Sequence, residues 1–435
     1  MEASIWEDGL TTIPATVVDR IGYLLKYGYY NMQIQMVITF AQHLDTDVLK
    51  KAVRLSLDAE PILRCQFIEN DKQPYWQPFD NPDEIQWFEF VLVQTDSKQA
   101  AIEQFLKSPF YYEEQMLCVR IIRVNDNDIL CVKIAHACSD AAGLKQYLQL
   151  LAEIYSHLLK DSRYKPEPNT KRRLDQKSYF EALGIKDPLA LLDPNDQPLP
   201  ATWAFPFYGT ESKEINISMR RFAGESFDRI RAFGKAHSVT INTIILTSYF
   251  RSMFQLLNPP AGDDREICVT MDLRRFFKTN PSQDICNLAV IIVARTCRVE
   301  QESILETLKR VSKTMDELKH AQVELSEAVK TEAQEAIEFS QLHALFQAAR
   351  PMIIETGKCS PTLGNTGIIN PLQFGQITAN DAYLVPPTTN VPGFMLAVST
   401  YNRTLTLSTS FCEPSHKTED VEAFMDLMEK ELSSL

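Results

Sequence analysis

The chain has 435 residues, 45% hydrophobic and 23% charged, which is ordinary for a globular protein long enough to bury a core without staples. Asp and Glu number 57 against 44 Lys and Arg, leaving a formal net charge of -13. That balance argues against nucleic acid and against a polybasic membrane-surface mode, though a local basic pocket for an anionic substrate is compatible with it.

The acidic start, MEASIWEDGL, lacks the basic-then-apolar pattern of a secretory signal. Residues 33–40, QIQMVITF, alternate with Ile34, Met36, Ile38 and Phe40 on one face, which predicts a half-buried strand. A helix follows, capped by Asp45 or Thr46, with Leu49, Val53 and Leu57 on one stripe and Pro61 as its stop. PILRCQFIE then reads as a strand. Residues 117–124 and 129–135 read as two strands joined by a turn at Asn125-Asp126-Asn127-Asp128. His136 comes at once, then Cys138, Ser139 and Asp140, then a helix to about 160.

Residues 161–205 are rich in Pro, Asp, Lys and Gln and read as a crossover between two halves. Strand and helix patterns resume: a strand near 215, helices over 225–236 and 240–257, and strands over 266–272 and 288–297. Within the last of these, LAVIIVA (288–294) is the longest apolar run; it is far short of the ~18 residues of a spanning helix and predicts a buried strand. Residues 301–350 are helical in pattern, and the tail returns to strands before a helix over 417–433. The alternation predicts an α/β (α+β) chain of two sandwich-like lobes with a site between them. The expected division is 1–165, a linker over 166–210, and 211–435.

The nine cysteines include no CxxC pair and lie mostly in apolar stretches, so they read as reduced thiols in a cytoplasmic protein. The seven histidines show no metal-ligand spacing, and no metal is expected. His136 at a strand end is a candidate proton-transfer group, because imidazole titrates near neutrality and a strand end can aim it into a cleft. On spacing alone His136 is as well explained as a satisfied core histidine, and Asp140 as a helix cap.

The surroundings of this pair resemble the HxxxD acyltransferase superfamily, which includes chloramphenicol acetyltransferases, polyketide-associated acyltransferases and the condensation domains of peptide synthetases. AEPILRCQF (59–67), with Arg64, is similar to an early family segment. TINTIILTSYFRSM (240–253), MDLRRFF with Asn287 (271–287) and GNTG (364–367) follow in the family's order. Against the condensation motif HHxxxDG, Ala135 stands for the first His and Ala141 for the Gly. The plant-type DFGWG motif is absent, QFGQI (373–377) sharing only its Phe-Gly.

The resemblance implies two chloramphenicol-acetyltransferase-like lobes with an active-site tunnel between them. It implies transfer of an acyl group from a thioester to an alcohol or amine, with His136 as general base and no acyl-enzyme. Cys138 is therefore not expected to be a nucleophile. Asp140 is expected to pair with Arg274. Asn287, Asn365 and Gly367 are candidate oxyanion or substrate contacts, alongside the amides of the helix after Asp140. No permanent cofactor is implied; acyl-CoA or a phosphopantetheinyl thioester is the cosubstrate, and the partners are a small-molecule acceptor and an acyl or peptidyl carrier protein. With no carrier or adenylation segment in the sequence, a tailoring or ester-forming enzyme of secondary metabolism is the expectation. The competing function is a catalytically inactive binding or scaffolding relative, kept open by the departures at Ala135 and Ala141.

Overall fold

The architecture comes from a computed structural model of the chain, which describes residues 12–112, 114–169, 176–192, 200–277 and 285–435. The amino-terminal stretch, parts of the expected crossover (170–175 and 193–199) and residues 278–284 lie outside the described residues.

Two sheets organise two lobes. The first has five strands, in spatial order Asp381–Val385, Gln33–Phe40, Asn127–Ala135, Leu117–Val124 and Phe88–Leu92. Residues 33–40 form a strand, but one buried on both faces and not half-buried: Gln35 and Val37 are covered as fully as Ile34, Met36, Ile38 and Phe40, because the strand is internal to the sheet. Helices Thr46–Ala59 and Ala141–Lys160 pack on the sheet through Leu49, Val53, Leu57, Leu144, Leu148 and Leu151. Asp45 caps the first helix by accepting from the amides of Asp47 and Val48. PILRCQFIE divides: Pro61–Arg64 is a 3-10 turn and only Cys65–Ile68 is a strand, because proline favours a helical first turn. The hairpin turn is tighter than expected. Val124 pairs with Asn127, leaving Asn125-Asp126 as a two-residue turn with Asn125 at φ 50°.

The second sheet has six strands, in order Ala289–Cys297, Asp264–Asp272, Thr362–Ile368, Met395–Tyr401, Thr404–Pro414 and Ser212–Ala223. Its core is formed with helices Glu225–Ala236, Ile241–Leu257, Ile304–His320 and Thr418–Ser433. Thr240 caps its helix as expected, and Asn258 ends it in the left-handed conformation just before Pro259.

One expectation fails in an informative way. LAVIIVA is an edge strand, not a fully buried one: Ile291 and Val293 are 50% and 41% exposed while Val290 and Ile292 face the core. A continuous apolar run does not distinguish a doubly covered strand from an edge with one open apolar face.

The lobes are also interlocked. Asp381–Val385 lies in the carboxy-terminal part of the sequence but pairs antiparallel with Gln33–Phe40 in the first sheet. Second-sheet side chains secure it: the Leu384 amide donates to Ser399 Oγ at 3.1 Å, and Ser408 Oγ donates to the Leu384 carbonyl at 2.6 Å. Residues 211–435 therefore serve both sheets, and a division in sequence near residue 210 is not a division in space. Among the described residues, no helix is long and apolar enough to cross a membrane.

Both serines are buried, so the double change Ser399→Ala and Ser408→Ala leaves the Leu384 amide and carbonyl unsatisfied. We expect a loss of about 2–4 kcal/mol in urea unfolding, with the secondary structure seen by circular dichroism unchanged.

Candidate active site

His136 follows the last residue of its strand. Its amide donates to the Met32 carbonyl at 2.7 Å, so the backbone is anchored where the ladder between Gln33 and Ala135 ends. The loop then turns tightly, Cys138 N donating to the Ala135 carbonyl. Asp140 caps helix Ala141–Lys160, its Oδ1 accepting from Gly143 N at 2.8 Å.

The second lobe grips this loop from the other side. Asp140 Oδ2 accepts from Arg274 at 2.8 Å and from the Leu288 amide at 2.7 Å. The Asp140 amide donates to the Cys286 carbonyl, which Arg274 also meets at 2.9 Å. Asp140 and Arg274 are both about 95% buried. Burial alone would favour neutral Asp140, but the guanidinium and two backbone amides hold its carboxyl below the usual range. Burial likewise opposes the Arg274 charge, and the Asp140 carboxylate overcomes it. The expected pair thus forms, and it joins the lobes.

Asp140 is not the partner of the imidazole. Its two oxygens serve Gly143, Leu288 and Arg274. Instead His136 Nδ1 lies 3.1 Å from the Ser139 carbonyl oxygen. A carbonyl can only accept, so Nδ1 carries the proton and Nε2 presents its lone pair. No hydrogen bond of good geometry reaches Nε2 among the described residues, while the Asn287 side chain lies close to the ring and favours its charged form. Burial pushes the imidazole below its ordinary 6.5, outweighing the nearby Asp140 carboxylate. The arrangement is therefore a neutral imidazole with one basic nitrogen free. The Tyr29 ring meets it edge-on, with centroids 6.2 Å apart.

The remaining candidates separate. Asn287 comes to the loop, but its Nδ2 donates to the carbonyls of His136 (2.9 Å) and Ala137 (3.4 Å). Both amide hydrogens are thereby committed to holding the loop, which corrects its expected role as an oxyanion donor. Asn365 and Gly367 form a local turn: Gly367 N donates to Asn365 Oδ1, and Asn365 Nδ2 donates to Asn242. Among the described residues no hydrogen bond joins either of them to the His136 loop. Cys138 is fully buried and its thiol donates to the Ala135 carbonyl, which leaves it a packing role. Ala135 belongs to the first apolar core, so the missing histidine of the condensation motif would have stood on the side away from His136.

Two glycines escaped the sequence reading. A Cβ on Gly143 would fall 2.2 Å from Ser139 Oγ and 3.4 Å from the Cys286 backbone. One on Gly22, in helix Val17–Leu24, would crowd the His136 and Ala137 carbonyls at 3.1 Å. A glycine in a helical pattern was the available signal for a close approach. Nothing in the sequence pointed to Ser139 or Tyr29. Among the described residues, no group of His, Cys, Asp and Glu could hold a metal.

Removing one partner of the inter-lobe pair strands the other charge. Arg274→Met and Asp140→Asn should each cost about 3–5 kcal/mol in chemical unfolding. The folded pKa of Asp140 is depressed, so its contribution is fully present above the unfolded value near 4 and is lost as pH falls. Wild type should therefore lose more stability on acidification than Asp140→Asn does.

The sequence model of the Condensation domain matches residues 26–432. No curated protein sequence matches the chain. Among solved structures, the chain is similar to the first condensation domain of the calcium-dependent antibiotic synthetase, bound to a substrate analogue (TM-score 0.71, 14% identity, 97% of this chain and 95% of that one). It is also similar to a trichothecene 15-O-acetyltransferase from Fusarium sporotrichioides (0.70, 11%, 97% and 94%). A third is the starter condensation domain of rhizomide synthetase in complex with C8-CoA (0.67, 12%, 99% and 96%). At these identities the likeness establishes the two-lobed fold, and the sequence match over nearly the whole chain establishes the family: the protein belongs to the condensation-domain family.

Proposed function

We propose that the protein is an acyltransferase that moves an acyl group from a thioester, acyl-CoA or a carrier-bound phosphopantetheine, to an alcohol or amine, with His136 as general base. The observation that carries this reading is the His136 tautomer. Nδ1 is tied to the Ser139 carbonyl, so the free Nε2 is a base without rearrangement.

The acceptor oxygen or nitrogen attacks the thioester carbonyl carbon while Nε2 takes its proton. The carbonyl π electrons move to oxygen and form a tetrahedral oxyanion. When that pair returns, the carbon–sulfur bond breaks, and the leaving thiolate recovers the proton from the imidazolium. The half-buried first-turn residues Ala141 and Ala142 of helix Ala141–Lys160 offer their backbone amides as donors for the oxyanion. No acyl-enzyme is required, in keeping with the buried thiol of Cys138. The family match and the structural likeness to an acetyltransferase and to a domain bound to an acyl-CoA support the same class.

His136→Ala should lower acceptor-dependent thiol release from an acyl thioester by about 10²- to 10⁴-fold while leaving the thermal melt within a few degrees of wild type. Equal rates in the two folded proteins would remove His136 from the mechanism. Because the folded imidazole pKa is depressed, the base form persists to lower pH than in a free histidine. The acid limb of the kcat/KM profile should fall below about 6.5. A limb at or above that value would contradict the buried neutral imidazole.

A further inference from the structure

A cavity of about 270 Å³ lies where segments from both lobes meet. Its wall is mostly apolar, with Tyr27 and Tyr29 from the first lobe facing Phe346, Ile353, Val391 and Phe394. Tyr29 is shared: it lines this cavity and sets its ring edge against His136. The cavity therefore lies one side chain from the base.

One cation lines it. Arg350, on helix Phe339–Thr356, is half-buried against these apolar groups. Other partly buried arginines of the chain have carboxylates: Arg123 has Asp128, Arg220 has Glu422, Arg251 has Glu431, Arg274 has Asp140 and Arg310 has Glu302. Among the described residues Arg350 has neither an ion pair nor a hydrogen bond, and no Asp or Glu lines the cavity. Desolvation lowers its pKa with nothing opposing it. A guanidinium with no carboxylate beside it stands out in a chain of net charge -13. Its planar donors suit a carboxylate or phosphate bound edge-on.

We propose that Arg350 receives an anionic group, a carboxylate or a phosphate, carried by one of the two reacting partners. The inference rests on the acyl-transfer reading for the partners' identity, and it makes Arg350 a specificity-determining residue for substrate charge. The apolar remainder of the wall accommodates the hydrocarbon portion of the same ligand.

The test is calorimetric titration of the full chain in its wild-type, Arg350→Gln and Arg350→Lys forms, each also carrying His136→Ala so that binding is read apart from turnover. The probes are two matched pairs. Coenzyme A against pantetheine varies the phosphates; hexanoate against hexanamide varies the carboxylate. We expect wild type to prefer the anion in at least one pair. Arg350→Gln should lose roughly 10- to 100-fold in affinity for that anion and none for its neutral counterpart, and Arg350→Lys should keep part of the preference. Preference in the first pair assigns the charge to the thioester donor, and in the second to a carboxylate ligand. Arg350→Gln should melt within a few degrees of the wild-type temperature, because no ion pair or hydrogen bond among the described residues is lost. Wild type without any anion preference, Arg350→Gln binding anions as wild type does, or a clear fall in its melting temperature would each overturn the proposal. Anion binding through Arg350 in a protein without His136-dependent turnover would instead overturn the acyl-transfer reading alone.

Discussion

The Asp140–Arg274 ion pair is the contact on which the site depends. Asp140 caps the helix that starts beside His136, and the same carboxylate accepts from Arg274 and from Leu288 across the lobe boundary. A single side chain thus fixes the helix start, the loop and the second lobe together. A buried charge pair is not by itself stabilising against an apolar alternative, because two desolvation penalties offset its attraction. What it supplies here is position, since the carboxylate's acceptor sites fit only one placement of the loop between the lobes.

The base is set by a neighbouring carbonyl, with no carboxylate in contact. Ser139 presents its oxygen to Nδ1, the Met32 carbonyl holds the His136 amide, and Asn287 holds the carbonyls of His136 and Ala137. Gly22 and Gly143 let the flanking helix and the Cys286 segment come close enough for these bonds. A carbonyl orients the imidazole without stabilising its charged form as strongly as a carboxylate would. Together with burial this keeps His136 neutral and its Nε2 free, which suits a group that must take a proton at ordinary pH.

Much of this was legible in the sequence where local chemistry decides the outcome. The strand over 33–40, the Asp45 and Thr240 caps and the strand ending at Ala135 appear as expected, because periodicity and capping are local, although the first is buried on both faces where alternation predicts one. Arg274 was assigned through a resemblance, and the structure gives it the matching bond. The failures are tertiary. LAVIIVA is apolar throughout, yet its place at a sheet edge leaves Ile291 and Val293 open. Strand Asp381–Val385 crosses to the other lobe, which no local pattern signals. Asn287, Asn365 and Gly367 looked alike as candidate donors, but their partners differ: two carbonyls of the His136 loop for Asn287, and a turn for the other two. Arg350 was invisible as a site because its meaning lies in partners it lacks.

The central claim is that His136 is a neutral imidazole protonated on Nδ1. Nitrogen-15 NMR of histidine-labelled protein tests it directly, with the His136 signals identified among the seven histidines by their loss in His136→Ala. At neutral pH the account predicts a protonated Nδ1 and a pyridine-like Nε2 in one ring. A proton on Nε2, or an imidazolium at neutral pH, would contradict it.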